Sequence, residues 1–357
     1  MIYYISVGEN NSKASGKARL DIERVFHRLG FTPFGELSYE DSYKKIQKLR
    51  HIREFVIAEH RWMNIVKGMQ KNDVLIIQHP MASSITVYRA IKALKKKGTR
   101  IVLIIHDLYS LREKQNLNNP YYRLRDFSLL SICDVVISHN THMTDVLVSH
   151  GINKDKIIDL ELFDYIYPSE VNRTFTDADK HSVVIAGNLD RQKAAYLYEL
   201  GELLDETNLY LYGRNFDESA IIKNGRTIYE GELLADELPR KMHSGFGLVW
   251  DGTSIDECNG NTGEYLKINN PHKTSCNLAS GLPLVVWSKS AMADVVKKYG
   301  IGICVDSLRD LESSLRDMPD EQFNQIMANV GKISEKVRAG YFTETAITKA
   351  LTLIERE

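Results

Sequence analysis

Ile101-Val102-Leu103-Ile104-Ile105-His106 is an unbroken apolar run closed by a histidine. A run without alternation buries both faces once extended, which is the condition of a strand inside a parallel sheet covered by helices. Runs of the same kind stand at 2–7, 74–78, 135–138 and 156–160. Between them lie amphipathic segments, such as Ala18, Ile22, Val25, Phe26 and Leu29 at helical spacing, ended by Gly30. This strand–helix alternation predicts a doubly wound α/β domain. A polar stretch at 165–181 interrupts it and reads as a linker. Strand runs then resume at 183–187, 209–212, 227–229, 246–250, 284–287 and 302–305, predicting a second α/β domain of similar size. The final apolar stripe, Ala346, Ile347, Ala350, Leu351 and Ile354, fits against either.

The 357 residues are 43% apolar, ample for two cores. With 46 Lys and Arg against 47 Asp and Glu, the net charge of -1 gives no general attraction to nucleic acid, so any anion site must be local. The apolar runs fall short of the ~20 residues that span a bilayer, and no basic leader precedes residue 2. A cytoplasmic protein is expected. Cys133, Cys258, Cys276 and Cys304 are scattered without a CxxC pair and read as reduced core thiols.

No G-x-G-x-x-G, P-loop, G-x-S-x-G or H-E-x-x-H is present, which counts against dehydrogenases, P-loop NTPases and the commonest hydrolases. Asp177-Ala178-Asp179 has the spacing of a metal-holding acidic motif but falls in the polar stretch, and His272 with Cys276 has no second pair to complete a zinc site. Neither metal nor cofactor is expected.

The chemistry concentrates in Asn270-Pro271-His272-Lys273-Thr274-Ser275. Asn270 as N-cap and Pro271 at the first helical position predict a sharp helix start, with Gly281 ending the helix. Backbone N–H groups, the Lys273 charge and the hydroxyls of Thr274 and Ser275 would then meet where an anion could sit. The same start also fits an ordinary capped surface helix. Loops after the other strands of this half, at 187–191, 212–214, 230–233 and 250–252, should open on one crevice, with Arg191 and Lys267 as further cations for a diphosphate or as members of surface ion pairs. In the first half, the polar segment 8–17, holding Lys13, Ser15 and Gly16, suits an acceptor loop or a plain connection. His106-Asp107 puts an ionisable pair at a strand end, and Ser138-His139-Asn140 opens a helix. Asp107 is the slightly favoured general base, His106 the alternative, and capping by Asp107 with packing of His106 the bland reading.

At Ile105-His-Asp-Leu-Tyr-Ser-Leu-Arg112, Ser138-His-Asn-Thr-His-Met143, Gly245-Phe-Gly-Leu-Val-Trp-Asp-Gly252, Tyr265-Leu-Lys-Ile-Asn-Asn-Pro-His-Lys273 and Ala279-Ser-Gly-Leu-Pro283, the chain resembles the bacterial GT-B sugar transferases that include β-1,6-galactofuranosyltransferases and glucosyltransferase 3 enzymes of adhesin glycosylation. The resemblance implies two facing Rossmann-like domains, an acceptor-binding one at 1–164 with a C-terminal helix crossing back at 341–357, and a nucleotide-sugar-binding one at 165–340. It implies a UDP-sugar donor as substrate, a glycan, glycolipid or glycoprotein acceptor, no nucleic acid, proximity to a membrane surface and self-association as a homo-oligomer. By position, Asn188, Arg191, Lys267, His272, Lys273, Thr274 and Ser275 look like diphosphate and donor-sugar contacts. Tyr212, Gly231 and Glu232 look like uracil and ribose neighbours, Asp251 belongs to the donor loops, and Lys13, Ser15, Gly16 and Asn140 to the acceptor side. Cys276-Asn277 departs from the larger or more apolar residues expected there. The activity expected is inverting hexosyl transfer from a UDP-sugar. The rivals are a nucleotide-sugar-binding subunit without catalysis and a UDP-sugar epimerase of the same fold.

Overall fold

The computed structural model describes all residues except 8–13, 37–47, 82–83, 114–116, 172, 174, 221–224 and 357. The chain divides into two compact units, residues 1–11, 19–160 and 343–357 in one and 12–18 with 161–342 in the other.

The first unit holds β1 (Ile2–Ser6), β2 (Thr32–Glu36), β3 (Val74–His79), β4 (Arg100–Ile105), β5 (Val135–Ser138) and β6 (Ile157–Asp159) in the order β2-β1-β3-β4-β5-β6, every pairing parallel. All six residues of β3 are buried, as are those of β4 after Arg100, so the unalternating runs are the central strands. β2 has no such signature. It is a short edge strand interrupted by Pro33 and Gly35, the composition an edge tolerates and a central strand does not. The helix Ala14–Arg28 buries Ala18, Ile22, Val25 and Phe26 and stops at Gly30, whose φ is +77°.

The second unit holds β7 (Ser182–Ala186), β8 (Asn208–Tyr212), β9 (Thr227–Tyr229), β10 (Phe246–Val249), β11 (Leu284–Trp287) and β12 (Gly302–Val305), again all parallel, in the order β12-β11-β10-β7-β8-β9. Its core gathers Val183, Leu197, Leu211, Phe246, Trp250, Val285 and Trp287. The stretch read as a plain linker contains a helical turn, Asp177–Lys180. There Thr176 and Asp179 form a reciprocal capping box and Lys180 pairs with Asp177, so both carboxylates have structural partners.

Both sheets grow one way from their first strand and then restart on its other side, between β1 and β3 in one and between β7 and β10 in the other. The strand exits at such a reversal diverge, and ligands of open α/β sheets bind there.

Candidate functional sites at the two switch points

In the second unit the exits of β7 and β10 meet. Gly252 N–H donates to Lys193 O at 3.0 Å. Beside this bond, Asp251 Oδ1 lies 3.0 Å from Lys273 Nζ and 3.9 Å from Lys193 Nζ, and Lys273 Nζ also donates to Trp250 O at 2.6 Å. Two cations are thus gathered on one carboxylate that is itself only 11% exposed. Lys193 is a residue the sequence reading missed. Its signal was position, since it lies two residues past Arg191 on the short helix Arg191–Ala194 that follows β7.

The helix carrying Lys273 runs from His272 to Ala279 with Pro271, not Asn270, as its N-cap. Asn270 turns its amide to Glu161 O at 3.1 Å instead, which moves the start by one residue. Ser275 is buried, and Thr274 is buried with its hydroxyl lacking a hydrogen-bond partner among the described residues. Lys273 departs from the exposed first-turn lysine that the sequence suggests: its side chain is 19% exposed because the Asp251 carboxylate and the Trp250 carbonyl draw it inward. The helix ends as expected, at Gly281 with φ +72°. Asn277 lies over the Cα of Gly247, where any β-carbon would collide with its amide.

A cavity of about 460 Å³ opens against the same two loops, lined by Gln192, Gly252, Thr253, Asn259, Asn261 and Thr262. Gly252 is required there, because its φ is +124° and a β-carbon would fall 2.5 Å from Asn259 Oδ1. Asn259 Oδ1 accepts from Thr253 N–H at 2.7 Å and so holds the loop closed. The lining is polar and uncharged.

Other residues read as donor contacts have structural partners. Arg191 pairs with Asp217 at 3.1 Å and covers the Tyr198 ring, and Lys267 pairs with Glu264 at 2.9 Å over Trp287. Asn188 Oδ1 accepts from Asp190 N–H and from Asn215 Nδ2. Tyr212, read as a base neighbour, is 2% exposed, its hydroxyl accepts from His243 N–H at 3.0 Å, and burial pushes the phenol up to about 12. Gly231 accepts Gly213 N–H through its carbonyl, and Glu232 is exposed. His272 stacks on Tyr165 at 5.0 Å and donates Nε2–H to Asp164 O, and burial, aided by the Lys17 charge, lowers its pKa to about 4.

In the first unit, histidines follow three adjacent strands or end them. His79 closes β3, and His106 and His139 come directly after β4 and β5. His79 donates Nε2–H to Asp126 Oδ1 at 2.9 Å, and Asp126 Oδ2 accepts Ser110 N–H. His79 Nδ1 is buried without a hydrogen-bond partner among the described residues. Asp126 lies on a π-helical turn, Leu124–Ser128, that periodicity does not reveal. His106 Nε2 is 2.7 Å from Gln78 Oε1, and Asp107 Oδ2 receives Arg112 Nη1 at 3.3 Å. Asp107 therefore stands at the strand exit in an ion pair. Asn140, read as an acceptor contact, caps the helix Thr141–Ser149 through Met143 N–H and is 6% exposed. On the expected acceptor loop, Lys13 lies outside the described residues, as does the Ser15 side chain. Residues 14–17 are already helical and Gly16 is buried, so that segment is not wholly loop.

Burial also lowers the pKa of His139 to about 4, against its bond to Ile105 O. The unfolded chain binds protons at His139 and His272 from pH ~6.5 downward while the folded chain refuses them until about 4. Stability from these two groups is therefore present above pH ~6.5 and falls on acidification by up to about 1.4 kcal/mol per pH unit for each. Thermal unfolding measured down this range should show the loss, and a His139→Gln variant should show a shallower one. Equal slopes would remove His139 from the account.

The sequence profile of the glucosyltransferase 3-like N-terminal domain matches residues 2–162, and that of the C-terminal domain matches 183–350. The chain belongs to the glucosyltransferase 3-like family. It is 35% identical over 298 residues to the β-1,6-galactofuranosyltransferase WbbI of Escherichia coli K12, covering 81% of this chain and 82% of that one. Glucosyltransferase 3 of Streptococcus gordonii is 24% identical over 94% of this chain and 93% of its own. Among solved structures, the lipopolysaccharide outer core galactosyltransferase WaaB superposes with a TM-score of 0.61 at 13% identity, over 98% of both chains. That likeness shows the GT-B fold. This member of the family is thus a glycosyltransferase with two Rossmann-like units. Among the described residues no helix is long and apolar enough to cross a membrane.

Proposed function

We propose that this enzyme transfers a hexosyl group, galactofuranose or glucose, from a UDP-sugar to a glycan acceptor with inversion at the anomeric carbon. The observation that carries the donor reading is the gathering of Lys193 and Lys273 on Asp251 at the switch point of the second unit. In this reading the diphosphate takes the lysines over from Asp251, and the uncharged cavity beside them receives the hexose, whose hydroxyls match amides and hydroxyls better than ion pairs would. His106 or Asp107 removes the proton from the acceptor hydroxyl as that oxygen attacks, and the diphosphate leaves from the opposite face. A glycolipid, polysaccharide or glycoprotein glycan would serve as acceptor, and a UDP-sugar pool places the reaction in the cytoplasm.

Charge from fixed lysines makes a divalent ion unnecessary. Calorimetric titration of UDP should give the same affinity with and without EDTA, and loss of binding in EDTA would overturn the metal-free account. Lys273→Ala should weaken UDP binding roughly 10- to 100-fold, the worth of one charge-assisted contact. Because it also strands Asp251, the variant should melt several degrees lower, and Lys273→Met, which restores the apolar stem but not the charge, should recover part of the melting temperature and none of the affinity. Unchanged UDP affinity in both variants would leave the helix start at 272 as a capped helix and nothing more.

A further inference from the structure

Gln78 is 2% exposed at the end of β3, and both ends of its amide are committed. Nε2 donates to Arg19 O at 3.3 Å. A carbonyl oxygen only accepts, so the amide nitrogen must face Arg19, and Oε1 is left facing His106 Nε2 at 2.7 Å. That oxygen also only accepts. His106 therefore carries a proton on Nε2 in its neutral form, and Nδ1 is the ring nitrogen that gains and loses one. Arg19 is itself 1% exposed and clamps the backbone on either side of His79, through Nη1 to Gln78 O at 2.8 Å and Nη2 to Pro80 O at 3.2 Å. The His106 N–H donates to His79 O at 2.8 Å, which fixes its main chain to the same strand end.

We propose that Gln78 is a positioning residue for sugar transfer, holding His106 as its Nε2–H tautomer so that Nδ1 takes the proton of the acceptor hydroxyl. This rests on the transferase reading above and chooses between its two candidate bases. The acceptor oxygen forms the bond to the anomeric carbon, and its proton passes to His106 Nδ1. The bond from that carbon to the diphosphate oxygen breaks, its electron pair leaving with UDP. The imidazolium that results keeps Nε2–H on Gln78 Oε1. A neutral amide orients the ring without setting a charge beside it, whereas a carboxylate at the same place would favour the imidazolium.

Among the described residues, the charged and titratable groups of the surrounding elements include Arg19 from the first helix, His79 of β3 with Asp126 and Arg125, His139 after β5, and Asp107 with Arg112 on the loop after β4. Burial lowers the pKa of both His79 and His139, so neither adds charge at neutral pH.

Gln78→Glu, nearly isosteric, sets a carboxylate against Nε2–H, and the acid limb of the kcat profile should move up by about one pH unit or more with UDP affinity unchanged. Gln78→Leu removes the acceptor and should lower kcat roughly 10-fold or more with the donor KM unchanged. Should the leucine variant fail to fold, the glutamate profile still decides. An unmoved acid limb in a folded Gln78→Glu enzyme overturns the proposal. His106→Ala separates the two levels. Normal turnover in that variant removes His106 as the base, whereas an inactive His106→Ala beside silent Gln78 variants overturns the role of Gln78 alone.

Discussion

His106→Ala should slow sugar transfer by at least ~100-fold while leaving UDP affinity unchanged, the low end of what a general base contributes. The two candidate bases are neighbours in sequence but differ in surroundings. His106 is oriented by a buried amide, and its unperturbed pKa of ~6.5 suits a base near neutral pH. Asp107 is held in an ion pair with Arg112 that commits one of its carboxylate oxygens. Asp107→Asn should therefore cost less than His106→Ala, through the freed Arg112. In the proposed reading UDP binds the second unit, and its affinity serves as the internal control. A His106→Ala enzyme with normal turnover, beside an inactive Asp107→Asn enzyme, would return the role to the carboxylate.

Gly213→Ala should unfold the second unit or destabilise it by at least ~3 kcal/mol, among the largest single-residue effects in the chain. Gly213 leaves β8 at φ +139°, and a β-carbon there would lie 1.8 Å from Gly187 O. That oxygen belongs to the exit of β7, at the switch point, and Gly213 N–H is simultaneously bonded to Gly231 O at 2.8 Å. The two strand exits can approach only because neither side carries a side chain. Gly225→Ala is the matched control, since it has φ +70° but open space around it, and its cost should be limited to the backbone term of about 1 kcal/mol. Denaturant melts of the two variants separate collision from strain, and similar midpoints would mean that the β7 and β8 exits can part without loss.

The sequence by itself determined the layered architecture. A parallel strand buried on both faces is largely apolar, so the eight inner strands announce themselves as runs rich in Ile, Val and Leu or in such residues with aromatics. The four edge strands, β2, β6, β9 and β12, have one side unpaired, and of these β2, interrupted by Pro33 and Gly35, was missed. Helix ends were legible wherever glycine supplied a positive φ, as at Gly30 and Gly281. The same local chemistry marked 270–275 as a helix start and 106–107 as a strand exit.

What each polar side chain does at those places was decided only by the tertiary structure. Lys273 read as an exposed cation, yet Asp251 from another strand exit draws it in, and Lys193, marked in the sequence only by its place after Arg191, joins them. Asn140 read as a ligand contact and is spent on a cap, and Tyr212 is spent on His243 N–H. Gln78, 28 residues before His106, meets it because β3 and β4 pair in register, His79 beside Ile105. Propensity and periodicity report what a residue does to its own helix or strand. Hydrogen bonds and ion pairs between distant strand exits depend on which strands are neighbours, and sheet order, with its reversal at β1 and at β7, is fixed by the packing of the whole unit rather than by any local run of residues.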